Sequence, residues 1–185
     1  IEKDSEQRKN IISISPYSSK IYGNDLMVSS VLEFSNKHYF KDLKFTVIGN
    51  GDLFDEIVAP LRKFRNVSVE KKFLRQNEIA DLYKQNGIVL IPTRGDTQGV
   101  SRDEAMSSGL VPVTNKVAAI PEFVDENCGI LAGSEDYMGM VDGIEKLYNN
   151  PEEFLRLSKN AAQRVRNQSS KEFTIVREEK LINSN

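Results

Sequence analysis

The stretch IPTRGDTQGVSRDEAMSSGLVPVT, residues 91–114, reads as the end of a strand, a polar loop, a short helix and a second strand in quick succession. Gly99 opens the helical part, and Ala105 and Met106 begin a run of small and apolar residues that suits packing on a sheet. Gly109 stands where a helix ending at Ser108 needs a left-handed residue, immediately before the apolar run Leu110-Val111. A strand that returns through a helix to another strand is the crossover unit of a parallel sheet.

The same alternation continues on both sides. Strand-like apolar runs fall at residues 11–15, 44–48, 67–69, 88–91, 110–114 and 129–132, with helical patterns at 24–39, 52–64, 77–84, 99–108 and near Pro121. Asn77 suits a helix cap, with Glu78 in the first turn and Ile79, Leu82 and Tyr83 on one face. Six strands with helices on both faces make an α/β fold, a doubly wound parallel sheet of Rossmann-like type. After the last strand the pattern is wholly helical. Met140, Ile144 and Leu147 share one face, Pro151 suits the first turn of the next helix, and Ser169-Ser170-Lys171-Glu172 has the form of a capping box before Phe173, Val176 and Ile182. The sheet is therefore closed by two or three C-terminal helices. Residues 1–10, charged, aperiodic and without an initiator methionine, read as a linker or fragment start, and residues 11–185 as one domain.

Composition narrows the function. A chain of 185 residues, 39% hydrophobic and 28% charged, can bury a core of its own. Its 25 basic and 27 acidic residues leave a net charge of -2, which offers no electrostatic footprint for nucleic acid, so the partner is expected to be a small molecule. The single cysteine, Cys128, excludes an internal disulfide and a zinc-binding cysteine cluster, and reads as a buried small residue. No apolar run approaches the ~18 residues that would span a bilayer, and the polar start is unlike a signal peptide. A cytoplasmic setting is expected.

In an open parallel sheet, ligands bind beyond the carboxyl ends of the strands. Three loops at such ends carry candidate chemistry. Gly49-Asn50-Gly51 is a glycine turn that either brings backbone close to a ligand or simply makes a tight strand-to-helix connection. In the second loop, Asp96 precedes the helix and Glu104 lies inside it, too deep to act as a cap. Glu104 either accepts hydrogen bonds from a ribose diol or is an exposed helix residue paired with Ser101 or Arg102. The third loop runs from Ser15 through Lys20 to Gly23-Asn24-Asp25. Lone His38 reads as a surface residue, and Arg75, Arg94, Lys159, Arg164 and Arg166 as solvated cations.

Asp96 and Glu104 with seven residues between them, then Ala-Met-x-x-Gly-x-x-Pro-Val, Ile120-Pro121-Glu122-Phe123-Val124 and Gly129-Ile130-Leu131, together resemble the carboxyl-terminal domain of the GT-B-fold glycosyltransferases of family 4. The resemblance implies a retaining glycosyltransferase whose donor is a UDP- or GDP-sugar and whose acceptor is held by a missing N-terminal domain. It implies that Asp96 holds the donor sugar and Glu104 the nucleotide ribose. Gly49, Gly51 and Leu74 would also touch the donor, and the amides of Gly99, Val100 and Ser101 would face the sugar and diphosphate. The family carries glutamate at both ends of the spacer, so Asp96 is a departure. The family also places an arginine and a lysine in the first loop, whereas here Pro16 and Tyr22 intrude and only Lys20 supplies charge. No metal or cofactor is implied, because lysine and helix amides neutralise the leaving diphosphate, which itself takes the acceptor's proton. Bacterial polysaccharide or glycolipid assembly follows by the same resemblance, with the full-length enzyme touching the inner face of the membrane. The alternatives are a non-catalytic transferase-like module with a degraded site, and a sugar-nucleotide 2-epimerase or phosphorylase on the same fold. The phosphorylase lacks its lysine-bound cofactor motif here.

Overall fold

The computed structural model describes residues 2–96, 99–169 and 175. Among them, six parallel strands, β1 (Asn10–Pro16), β2 (Lys44–Asn50), β3 (Val67–Lys71), β4 (Ile88–Leu90), β5 (Val111–Asn115) and β6 (Ile130–Ala132), lie in the order β3-β2-β1-β4-β5-β6. The chain winds outward from β1 to β3, returns to the centre at β4 and winds outward again to β6. Strand order thus reverses between β1 and β4, where Ile11 and Ile12 pair with Ile88 and Val89. A crevice opens at such a reversal, because the loops leaving the two strands turn toward opposite faces.

Among the described residues, seven α-helices connect and close the sheet: α1 (Asn24–Phe34), α2 (Phe54–Val58), α3 (Gln76–Gln85), α4 (Val100–Ser107), α5 (Ile120–Phe123), α6 (Tyr137–Asn149) and α7 (Pro151–Ser169). Successive strand residues point to opposite faces, and the core divides accordingly. Ile11, Val47, Ile88 and Val113 pack with Met27, Val31 and Phe34 of α1 and with Met140, Ile144 and Leu147 of α6. Ile12 and Val89 pack with Tyr83 of α3 and Ala105 of α4, on the other face. Both faces of the central strands are apolar because helices cover them, as a doubly wound sheet requires. Cys128 is buried beside Met106 and Ile120, and that burial raises its thiol pKa, as befits a packing residue.

Several boundaries differ from the sequence pattern. The helix expected over 24–39 stops at Phe34, since Ser35 Oγ donates to the Leu32 carbonyl at 2.6 Å and the chain turns to stack Tyr39 on Tyr148, 4.4 Å between ring centres. The helix expected over 52–64 breaks after Val58 into a 3-10 turn, Ala59–Leu61, because Pro60 has no N–H to continue the ladder. Helix α3 begins before Asn77: Arg75 is the cap position, and its backbone N–H donates to the Glu78 carboxylate at 2.8 Å. Gly109 adopts the expected left-handed conformation, with φ 81°. The capping box at Ser169 and the helix carrying Phe173, Val176 and Ile182 lie outside the described residues, except that Ser169 closes α7. Within the opening stretch, Ser5–Lys9 forms a 3-10 turn capped by Asp4, and it is tied to the domain. Arg8 Nε donates to the Tyr148 carbonyl at 2.9 Å, and buried Lys3 donates to that of Tyr83.

Candidate functional site

The carboxyl ends of β1 and β4 carry a cleft of about 600 Å³. Its walls include Pro16 and Tyr22 from the β1 loop, and Asp96, Gly99, Ser101 and Glu104 from the segment joining β4 to α4. A smaller recess of about 310 Å³ adjoins it toward β2 and β3, lined by Gly49, Lys72, Phe73, Leu74 and Ser101. Ile14, Ser15, Pro16 and Ser101 line both. Together they form one elongated depression across the reversal of strand order. A larger cavity, about 840 Å³, lies at the amino ends of β2 and β3, among Phe40, Lys44, Phe64 and Arg65. It contains none of the residues singled out by the sequence.

Of those residues, Asp96, Glu104, Gly99, Val100 and Ser101 meet in the larger cleft, and Gly49, Leu74 and Ser101 in the smaller. Gly51 backs onto Tyr17 in the turn. Lys20 lies outside both sets of lining residues, exposed, at the start of a 3-10 turn capped by Ser19. The third loop therefore presents Pro16 and Tyr22 to the cleft.

Hydrogen bonds between loops hold these walls. The Tyr17 N–H donates to the Asn50 carbonyl at 2.8 Å, and the Arg94 N–H to the Ile21 carbonyl at 2.8 Å, so the β1 loop is stitched to the β2 turn on one side and to the β4 loop on the other. Buried Asn24 donates to the Pro16 carbonyl at 2.7 Å. The Arg94 guanidinium makes five hydrogen bonds: two to the Asp25 carboxylate, two to that of Glu135 and one to the Lys20 carbonyl, at 2.6 to 2.8 Å. A fork matched to two carboxylates in this way is a tie between elements, and Arg94 is thereby committed to structure. The Arg94 hydrogen bonds hold the Asp25 carboxyl below its usual range.

Glu104 sits on the second turn of α4, and Gln76 Nε2 donates to its Oε1 at 2.7 Å. Its partner is thus neither Ser101 nor Arg102, the two neighbours its sequence position offered. Beneath the first turn of α4, burial raises the pKa of the Tyr83 hydroxyl, and the charge of Glu104 adds to this, so Tyr83 stays a protonated donor. Gly99, at φ 65°, caps α4 without a side chain, and the first amides of the helix have no partner within it. Such a terminus attracts an anion through its N–H groups and the helix dipole.

Arg102 was not singled out as a cleft residue by the sequence. It is 1% exposed although it lines the cleft, and its guanidinium rests 4.7 Å from the Phe123 ring centre. Nη2 donates to Asp103 Oδ1 at 3.0 Å, and Nη1 lies 3.7 Å from Asp96 Oδ2. Burial raises the pKa of Asp103, and Arg102 opposes that rise. The sequence neighbours Ser101 and Asp103 of this arginine are polar, so no local signal marks it as buried. Among the described residues no helix is long and apolar enough to cross a membrane, and no group of three or more His, Cys, Asp or Glu side chains is placed to hold a metal ion.

A doubly wound domain with paired carboxylates and a helix terminus on one switch-point cleft has the GT-B type of architecture. The chain belongs to the group 1 glycosyl transferases, whose family model matches residues 8–150. It is 26% identical over 145 residues to the N-acetyl-alpha-D-glucosaminyl L-malate synthase of Bacillus anthracis, a match covering 76% of this chain and 35% of that protein. The chain therefore spans about a third of the length of this curated relative. Among solved structures, the pneumococcal O-GlcNAc transferase GtfA, in complex with UDP and GlcNAc, superposes with a TM-score of 0.76 at 22% identity, covering 98% of this chain and 37% of that one. The C-terminal domain of the group 1 family protein LpcC from Francisella tularensis gives a TM-score of 0.76 at 20% identity, over 92% of this chain and 95% of that one. At these identities the likeness is one of fold.

Proposed function

We propose that this chain is the donor-binding part of a retaining glycosyltransferase that uses a nucleoside-diphosphate sugar, with the acceptor brought by a second domain. The observation that carries the reading is the meeting of Asp96 and Glu104 on one cleft at the β1–β4 reversal, eight positions apart on a segment that starts as a loop and ends as a helix. Both carboxylates are acceptors, as vicinal hydroxyls demand. Glu104, steadied by Gln76, takes the ribose; Asp96, nearer the loop, takes the donor sugar. The recess beside Gly49 and Leu74 takes the base end of the nucleotide. The amides of Val100 and Ser101 face the diphosphate, with Lys20 as the cation of the β1 loop. As the glycosidic bond breaks, negative charge grows on the departing diphosphate, and these fixed donors stabilise that charge more than they stabilise the ground state. The relative and the neighbour that carry N-acetylglucosaminyl or UDP in their names support a UDP-sugar as the first donor to try.

Isothermal titration of the chain with UDP, GDP and their sugars tests this. Binding of a nucleotide sugar with loss in Glu104→Gln is expected; a chain that binds none of them overturns the reading. A second reading, a transferase-like module without catalysis, is favoured by Pro16 and Tyr22 standing in the cleft wall that the family furnishes with cations. Donor binding without any slow hydrolysis of the donor, even with the acceptor domain supplied, is its signature.

A further inference from the structure

We propose that Arg102 is a positioning residue: it holds Asp96 in place for the donor sugar, and so governs recognition of the sugar and not of the nucleotide. The inference rests on the donor-site reading above and deepens it.

Among the described residues lining the larger cleft, Arg102 is the one cation. Its side chain is 2% exposed, so it is built into the wall and is not a mobile arm reaching for ligand. Among the described residues, Phe123, Asp103 and Gly99 shape the seat of the guanidinium. Phe123 supports its face at 4.7 Å, an arrangement that favours a desolvated cation over an aromatic ring. Asp103 takes Nε and Nη2 through one oxygen, at 3.1 and 3.0 Å. Gly99 provides the space: a Cβ there would lie 2.5 Å from both Cζ and Nη1. Nη1 lies 3.7 Å from Asp96 Oδ2, and Asp96 is the member of this cluster whose partly exposed carboxylate also lines the cleft.

The arrangement is a chain of support that runs from Phe123 and Asp103 through Arg102 to Asp96. Buried charge interactions are little screened, so the guanidinium restrains the carboxylate more firmly than a surface pair would. Among the described residues, Asp96 and Asp103 are the two carboxylates at this guanidinium, and the one on the cleft side is Asp96. A restrained carboxylate is a fixed acceptor, which rewards a sugar hydroxyl at one place and penalises a sugar without it. Glu104, held by Gln76 from α3, lies outside this chain of support.

The test is a double-mutant cycle read by titration calorimetry, using whichever of UDP-N-acetylglucosamine, UDP-glucose and GDP-mannose the parent binds most tightly, beside its own nucleoside diphosphate. Arg102→Met and Asp96→Asn should each weaken the nucleotide sugar about tenfold, as loss of one charge-assisted contact does, and leave the diphosphate nearly unchanged. The double variant should lose no more than Asp96→Asn alone, because Arg102 acts through Asp96. Equal loss of sugar and diphosphate, multiplicative losses in the double variant, or no loss at all would each overturn the proposal. Removing a buried cation destabilises the fold, so where the thermal transition of Arg102→Met shows unfolding, Arg102→Lys completes the same cycle with an intermediate loss. A parent that binds the diphosphate without any preference for its sugar overturns this inference alone. A parent that binds neither brings down the donor-site reading itself, and the two failures are told apart before any variant is made.

Discussion

The loop after β1 and the segment from β4 into α4 face each other across one cleft, and they are furnished in opposite ways. The β4 side brings Asp96, Arg102 and Glu104, set on or beside a helix and each held by a named partner. The β1 side brings Pro16 and Tyr22, and its one basic side chain, Lys20, is exposed outside the lining. The carboxylates are thus built into one wall, while the wall on which the resemblance places the phosphate-binding cations carries a proline ring and a phenol. On the donor-site proposal, recognition of sugar and ribose would fall to the wall of carboxylates, and neutralisation of the diphosphate mainly to the amides at the start of α4.

The strongest way to break this contrast is Glu104→Gln, which keeps the shape and removes the charge. Nucleotide binding should weaken by about 1.5 to 3 kcal/mol in calorimetry; an unchanged affinity would mean that the β4 wall is not the recognising one. Next in size is Arg94→Met, which unties the two walls. The groups are partly exposed, so the expected loss at neutral pH is about 1 kcal/mol in denaturant unfolding. The pH dependence has a definite sign. Arg94 depresses the Asp25 carboxyl in the folded state, so that pair's contribution is complete above the ordinary aspartate value of about 4 and is lost as pH falls through the lowered value. The gap between parent and variant should therefore narrow in acid. A gap that widened would exclude the pair as its source.

An effect of similar size and opposite sign is expected from Tyr22→Lys, which places a cation in the wall where Tyr22 stands. Affinity for UDP should rise by about 1 kcal/mol and become steeper in salt, since a partly exposed lysine acts as a screened point charge. No gain would show that the β1 wall is too far from the diphosphate to matter. The smallest effect is that of Lys20→Ala, about threefold on UDP and none on uridine, for an exposed lysine that reaches in from the rim. An equal loss for both ligands would reveal a disturbed loop instead of a lost charge.

The fold was legible in the sequence because doubly wound sheets repeat one local unit, and each local pattern, from the apolar runs to Gly109, agreed with the global one. Helix ends were less so. Proline at position 60 could have been read as the break it makes, whereas the stop at Phe34 depends on Tyr39 meeting Tyr148, a contact between residues far apart in the chain. Asp96 and Glu104 could be singled out because their spacing is local. Gln76, Asp25 and Glu135, which hold Glu104 and Arg94, were not, since their partners are brought to them only by the tertiary fold. Arg102 shows the same limit most clearly: on a helix with polar neighbours on both sides, nothing local distinguishes a solvated arginine from a buried one.

The seat of that arginine also constrains which residue changes a lineage carrying it can accumulate, and in what order. Because a Cβ at position 99 would lie 2.5 Å from Cζ and Nη1 of Arg102, the change Gly99→Ala requires the guanidinium to shift from its seat against Phe123 and Asp103, in addition to the strain of φ 65°. The dependence runs one way. Gly99 can outlive Arg102, since a shorter side chain at 102 merely empties the space, whereas loss of Gly99 displaces the arginine from its seat. Position 102 is therefore the freer of the two to drift first, and an arginine seated as here is expected to be accompanied by glycine three residues before it.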